Sequence, residues 1–300
     1  MAKRSKKNWN RKSDEQRQAE VDALSAELQE EVAKLTTEGG WAKWLDFQSK
    51  LYSYSFCNTL LIQMQHPGAT AVAGYKAWQK MGRQVREGEK SHIGIFAPIK
   101  RSFYVKVEDP NTGETKKQRR SRCVGFRITK VFEVSQTDGP EVPVRPHVER
   151  LKGDDQGLIE ALKRQAESLG CSVRFGYADG ANGYYRPMTR EIVVEESMEP
   201  AAQAKTLAHE IGHHVLHGEE EGHLMDRADK ELEAESFAYI VCTNLGLETA
   251  SYSFHYVACW KGKEAEEGFQ ASGDRIAKAA KKALEDIEAA ECADPISEAA

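Results

Sequence analysis

His209-Glu210-Ile211-Gly212-His213 is the segment of this 300-residue chain whose residue types and spacing point most directly to chemistry. On a helix, positions i and i+4 share a face, so both imidazoles can reach one metal ion. The glutamate between them then lies beside the ion, where it can take a proton from a bound water. In a chain of this composition the pattern arises by chance about 0.03 times. A catalytic zinc needs a third protein ligand and one open position. Eighteen residues after His213 begins Glu231-Leu232-Glu233-Ala234-Glu235, which reads as helix, with Ala234, Phe237, Ala238 and Val241 as its packing stripe. Glu231 and Glu235 share one face and Glu233 lies opposite. Glu231 is therefore the candidate third ligand. Glu235 would hold a ligand histidine by its free N–H, and removing Glu233 should leave the metal in place. The competing reading is a solvated acidic helix face. His214, His217 and His223 read as surface or capping residues. A fourth protein ligand from His217 or His223 would instead make the site structural. Tyr185, in the pair Tyr184-Tyr185 before an apolar strand, is a candidate catalytic hydroxyl that could stabilise an oxyanion, or it simply packs a turn.

A second constellation lies in residues 54–100. Cations at Lys76, Lys80, Arg83, Arg86 and Lys90 alternate with Tyr75 and Trp78, and residues 41–130 carry 17 Lys and Arg against 6 Asp and Glu. Cations neutralise phosphates and aromatic faces stack on exposed bases, which together make a sequence-tolerant site for single-stranded nucleic acid. The same spacing also fits the buried stripe of a short helix.

The elements that must position these groups follow from periodicity. Apolar residues at Val21, Leu24, Leu28, Val32 and Leu35 predict a first helix capped by Ser13 and ended by Gly39-Gly40. Helices follow over 41–51, 55–65 and 75–81. Strands are expected at Ile93–Phe96, Phe103–Val107 and Cys123–Val134, with a turn at Glu108–Gly113. A basic insert occupies 108–122. In the second half a helix is expected at 155–169, strands at Ser172–Phe175 and Glu191–Glu195, and helices at about 200–217, 228–246 and 263–291.

Thr206-Leu207-Ala208-His209-Glu210-Ile211-Gly212-His213-His214, with Glu231-x-Glu233-Ala234-Glu235-Ser236-x-Ala238-Tyr239, resembles the ImmA/IrrE type of small zinc metallopeptidase, a minimal gluzincin. The resemblance covers about residues 150–262. It implies Zn²⁺ on His209, His213 and Glu231, and Glu210 as the catalytic base. The order of words from Phe47 to Pro98, resuming at Val131-Phe132-Glu133-Val134-Ser135-Gln136-Thr137, resembles the N-terminal single-stranded DNA-binding domain of ArdC-type antirestriction proteins. It implies DNA contacts among Asn58, Tyr75, Lys76, Trp78, Lys80, Arg83, Gln84, Arg86 and Lys90, and a mobile-element setting such as a phage or plasmid. Rival functions are a regulatory peptidase that cleaves a repressor and a DNA-binding protein with a non-catalytic zinc.

Composition bounds these readings. Hydrophobic residues make up 40% and charged residues 30%, which excludes collagen-like and fully disordered classes. The longest apolar run, Ile93 to Ile99, is far short of a membrane span, and no apolar stretch follows the basic N-terminus. Six scattered cysteines without a C-x-x-C pair read as reduced thiols, so a cytoplasmic location is expected. Residues 1–150 hold 27 Lys and Arg against 18 Asp and Glu, whereas residues 151–300 hold 15 against 29. The expectation is a two-domain α+β protein: a disordered tail at 1–13, a DNA-binding domain at 14–137 with helices and a small antiparallel sheet, a linker at 138–150, and a gluzincin-like zinc metallopeptidase domain at 151–293. The two domains are expected to fold semi-independently.

Overall fold

The computed structural model describes residues 13–35, 38–108, 115–142, 155–218, 225–247 and 263–293. The basic tail before Ser13, the turn after Glu108, most of the expected linker and His223 lie outside them. The fold is α+β.

Helix α1 (Asp14–Lys34) opens on a capping box: Ser13 Oγ accepts the Gln16 N–H at 3.1 Å, and the Gln16 side chain accepts the Ser13 N–H at 3.0 Å. It ends at Lys34, ahead of Gly39-Gly40. Those glycines stand in the first turn of α2 (Glu38–Lys50), where complete burial of Trp41, Trp44 and Leu45 outweighs the ~1 kcal/mol helix cost of each glycine. Helix α3 (Phe56–Gln65) and the short α4 (Tyr75–Lys80) follow the expected spacing.

The strand segments expected between 93 and 134 merge into one long hairpin. Strand β3 (Ile93–Glu108) pairs antiparallel with β4 (Thr115–Glu133), with a bulge between Ile99 and Lys100 that leaves Val124 as the extra residue. Among the described residues, only the base of this ribbon gains a third strand, β1 (Val72–Ala73), on Phe132 and Glu133. Strand β2 (Gln84–Val85) pairs with β5 (Thr137–Asp138), so Asp138 is still tied to the N-terminal half.

The second half begins with α5 (Asp155–Ser168). Its sheet has the order β6-β8-β7: β8 (Glu191–Glu195) is central, β6 (Ser172–Gly176) runs parallel to it, and β7 (Gly183–Arg186) lies antiparallel at the edge. Ile192, Val193 and Val194 of β8 are fully buried, as the central strand of a covered sheet requires. Helices α6 (Pro200–His217), α7 (Arg227–Asn244) and α8 (Lys263–Ala293) complete the described elements. No helix among the described residues is long and apolar enough to cross a membrane.

One hydrophobic cluster runs through both halves. Trp41 and Trp44 of α2 and Phe56 of α3 share it with Leu232 and Phe237 of α7 and Phe269 of α8. Ring centroids are 4.7 Å apart for Trp41–Trp44, 5.1 Å for Trp41–Phe269 and 5.0 Å for Trp44–Phe56. Trp41 Nε1 donates to Ser236 Oγ at 2.9 Å, and Asn244 Nδ2 donates to the Ser49 carbonyl at 2.7 Å. The charge division is thus not a division of the core. The expectation of semi-independent folding gives way to one of cooperative folding, because α2 and α3 bury their aromatic faces against the C-terminal helices. A smaller cluster, including Phe47, Ile62, Ile93 and Val131, sits under the base of the ribbon.

Candidate metal centre

Helix α6 starts at Pro200, a residue pre-set for the first helical position. It buries Ala204, Leu207, Ala208 and Ile211, which leaves His209 and His213 on the face turned to a cleft of about 920 Å³. Helix α7 crosses α6 closely at Gly212. A Cβ there would lie 3.1 Å from the Ala234 Cα and 3.1 Å from the Phe237 ring, so the glycine is what allows the crossing. The crossing brings Glu231 to the histidines. His209 Nε2 is 3.0 Å from His213 Nε2, Glu231 Oε2 is 3.4 Å from the first and 3.8 Å from the second, and the three ligand atoms lie within 4.8 Å of one another. Zinc bonds of ~2.0–2.1 Å to a tetrahedral set put ligand atoms about 3.3 Å apart. The two imidazoles and one carboxylate therefore fit such an ion.

Each histidine is held from behind. Glu235 Oε2 lies 3.1 Å from His209 Nδ1, while Glu235 Oε1 meets Lys205 Nζ at 3.2 Å. His213 Nδ1 lies 3.3 Å from His217 Nδ1, His217 Nε2 lies 3.2 Å from Glu233 Oε2, and Arg275 of α8 donates its Nε to Glu233 Oε1 at 3.1 Å. With both rings neutral, one proton assignment satisfies this chain. His213 donates from Nδ1, His217 accepts there and donates from Nε2 to the carboxylate, and the His213 Nε2 lone pair stays free. His217 is thus occupied on both nitrogens and is not a fourth ligand. Glu233 is fully buried. It faces away from Glu231, as its position predicts, yet it reaches the site through His217, so the expectation that it is irrelevant to the metal is revised. Burial alone would raise the Glu233 carboxyl, but His217, Arg275 and Ser272 hold it below the usual carboxylate range. Burial likewise lowers His209, and its bonds to Glu231 and Glu235 more than reverse this, taking it up to about 9.

Glu210 stands beside the triad, 7% exposed, and burial raises its carboxyl. The Tyr185 backbone of edge strand β7 bonds to it. The approach of β7 depends on Gly183, where a Cβ would fall 2.6 Å from Thr206 Cγ2 and 2.8 Å from the Val193 carbonyl. Tyr185 lies in this strand, on the cleft wall, with its hydroxyl 2.7 Å from His214 Nδ1. Burial pushes the Tyr185 hydroxyl up and His214 down, so a neutral phenol donates to a neutral imidazole. His217, Glu233, Arg275 and His214 were not legible as site residues. The i, i+4 step from His213 to His217 was the one available signal; Arg275 is remote in sequence.

A family model described as the N-terminal domain of anti-restriction factor ArdC matches residues 14–132, and one described as the IrrE N-terminal-like domain matches residues 166–252. The two matches follow each other in the order that the ArdC-type resemblance implies. Over 201 residues it is 30% identical to the uncharacterized protein y4eC of Sinorhizobium fredii, covering 62% of this chain and 61% of that one. Over 302 residues it is 25% identical to an uncharacterized pXO2-81 protein of Bacillus anthracis, covering 87% and 50%. The chain therefore spans 61% and 50% of the lengths of these curated relatives. The metal-free crystal structure of the antirestriction ArdC protein from the R388 plasmid aligns with a TM-score of 0.46 at 24% identity, covering 79% of this chain and 86% of that one. The Mn(II)-bound structure aligns at 0.45 and 20%, covering 82% and 98%.

Within the segment matched to the ArdC N-terminal domain, the residues expected to meet DNA divide into two groups. Trp78 is 1% exposed and donates Nε1 to the Phe132 carbonyl at 3.0 Å, so packing, not base stacking, occupies its ring. Asn58 bonds both the N–H and the carbonyl of Phe96, at 2.8 and 3.0 Å, and so ties α3 to β3. Arg83 donates Nε to Thr137 Oγ1 at 2.8 Å and Nη2 to the Thr137 carbonyl at 2.9 Å, which fastens β5. These three are corrected to scaffold roles, because their polar atoms are spent inside the fold. Arg86 is exposed but paired with Glu89 at 2.8 Å. Tyr75, Lys76, Lys80, Gln84 and Lys90 remain exposed, with the Tyr75 hydroxyl accepting from Gln84 at 2.7 Å.

Proposed function

We propose that this chain is an antirestriction protein that binds single-stranded DNA through its N-terminal domain and carries a zinc-dependent peptidase centre on His209, His213 and Glu231. The observation that carries the enzymatic part is the convergence of three ligand atoms on an open cleft with Glu210 beside them and no ligand role left for His217. Three ligands and an open position are the pattern of catalytic rather than structural zinc. Two imidazoles and a carboxylate suit zinc better than the all-oxygen sets preferred by harder ions. A bound zinc would polarise a scissile carbonyl and acidify a coordinated water. Glu210, its carboxyl raised by burial, is the group placed to hold and pass on that water's proton. The exposed edge of β7 offers backbone groups to an extended peptide along the cleft. Tyr185 stands on the same wall and would stabilise an oxyanion once its hydroxyl leaves His214.

The DNA-binding part rests on the match of residues 14–132 to the ArdC N-terminal domain and on the cation excess there. Glu210→Gln tests the whole reading. The variant should keep about one zinc per chain and wild-type single-strand affinity, and should lose any peptide hydrolysis. Protection of transferred DNA in cells is then compared between Glu210→Gln and a variant that no longer binds DNA. Survival of protection in the first and loss in the second assigns protection to DNA binding. The reverse result assigns it to cleavage of a host protein, the regulatory-peptidase alternative. A protein that holds no zinc, or loses it in Glu210→Gln, removes the enzymatic part.

A further inference from the structure

We propose that the β3–β4 ribbon, rather than the α4 segment, is the surface that grips single-stranded DNA, by base stacking on Tyr104 and Phe126. This rests on the single-strand reading above and adds its location and mode. Strands of 16 and 19 residues are about three times the usual length, and a two-stranded hairpin gains little stability on its own in water. Beyond the bulge no third strand pairs with the ribbon among the described residues. Lys100–Val107 is exposed except at Val105, and Lys117–Val124 is exposed throughout. Of ten exposed large apolar side chains among the described residues, six lie on the ribbon: Phe103, Tyr104, Val107 and Val124 at or beyond the bulge, and Ile99 and Phe126 just before it. A monomer seldom leaves such a set in water without a ligand for it.

The register places the chemistry. Residues paired across the ribbon share a face, and so do alternate residues along each strand. Lys100, Tyr104 and Lys106 therefore lie on one face with their partners Arg119 and Lys117, a grouping that the Arg119 Nη2 bond to Ser102 Oγ at 3.0 Å supports. Phe126, opposite Pro98, lies on the same face at the base. Tyr104 is 69% exposed and Phe126 54%, about 20 Å apart along the ribbon, so one strand running along it meets both rings. None of these four cations pairs with a carboxylate among the described residues, whereas Arg86 near α4 is paired and Trp78 is buried. Unpaired cations that track phosphates between exposed rings make a single-strand site. Bases in a duplex are already stacked and offer their faces to neither ring.

The test uses the full-length protein and fluorescein-labelled oligothymidylate of about 20 nucleotides, with a duplex of equal length as comparison. The paired change Tyr104→Ala with Phe126→Ala should weaken single-strand binding at least tenfold. Tyr104→Phe should bind as wild type, since the ring is kept. Lys76→Ser with Lys80→Ser on α4 should change affinity less than threefold. Lys106→Ser with Arg119→Ser should reduce the slope of log affinity against log salt by about 1.4. Both ring positions are surface sites, so these variants should keep the wild-type melting temperature, which is read alongside. If the wild type binds single strands and the ring variant binds within twofold of it, the ribbon site is wrong while the DNA-binding reading stands. If the ring variant weakens duplex and single strand alike, stacking is wrong. If the wild type does not bind single strands at all, the broader reading falls first.

Discussion

At the scale of single residues, the site is built in two layers. His209, Glu210 and His213 face the cleft, and Glu235 and the His217–Glu233–Arg275 chain fix the directions of the two imidazoles. Partners of this kind typically carry about 10–100-fold in metal affinity. Glu233→Gln keeps the volume but turns a full acceptor into a weaker one for both His217 and Arg275. Chelator competition should show zinc held about tenfold more weakly than in the wild type, against near-complete loss in His213→Ala and Glu231→Ala. Unaltered zinc affinity in Glu233→Gln would confine that residue to stability. The alanine variant is the poorer probe, because an unpaired buried partner costs ~3–5 kcal/mol and confounds binding with unfolding. The ligand-bearing face was legible from i, i+4 spacing alone. The support behind it was not, because Arg275 comes from another helix and no local pattern links it to His217.

At the scale of elements, close approach decides the geometry. Gly212→Ala tests the α6–α7 crossing. Alanine would gain ~1 kcal/mol of helix propensity, but its methyl would press on backbone atoms of α7 at 3.1–3.2 Å. Overpacking of that kind costs ~1–3 kcal/mol, so chemical denaturation should show a net loss and zinc affinity should fall as Glu231 is pushed away. A stabilised variant with intact zinc binding would mean that the crossing has slack. Glu133 tests the base of the ribbon. It is 3% exposed and accepts from Ser135 N at 2.6 Å and from Thr70 Oγ1 at 3.2 Å. Burial raises its carboxyl, but these bonds hold it below the usual carboxylate range. A depressed folded value means that stability is present above the unfolded pKa and is lost as pH falls through the folded one. Glu133→Gln should therefore be less stable than wild type at pH 7, with the gap closing as the pH drops below about 4; a gap constant with pH would exclude the charge as its source. Most helices were legible from 3.6-residue periodicity. The ribbon was read as fragments because its outer half is exposed on both faces, so no apolar alternation marks it.

At the scale of the whole molecule, opposite charge and common core coexist. Unfolding in urea should be a single transition, with tryptophan fluorescence, to which the buried Trp41, Trp44 and Trp78 contribute, tracking far-UV circular dichroism. Two separated midpoints would restore independent halves. The segment 138–150 is marked by Pro140, Pro143 and Pro146 and by the change of charge around it, which report solvation and chain direction. They say nothing about whether helices before that segment pack on helices after it. Here they do, from Trp41 on Ser236 to Phe56 beside Gly273, where even a methyl would lie 2.3 Å from the ring.

That shared core has a consequence on the ribosome. Trp41, Trp44 and Phe56 emerge early, while Phe237 and Phe269, which complete their packing, come about two hundred residues later. At ~5–20 residues per second, those rings wait on the order of 10–40 s before their cover is made. A nascent chain that stalls before α8 would therefore expose those rings, and the released N-terminal half should aggregate in a translation-arrest assay instead of folding alone.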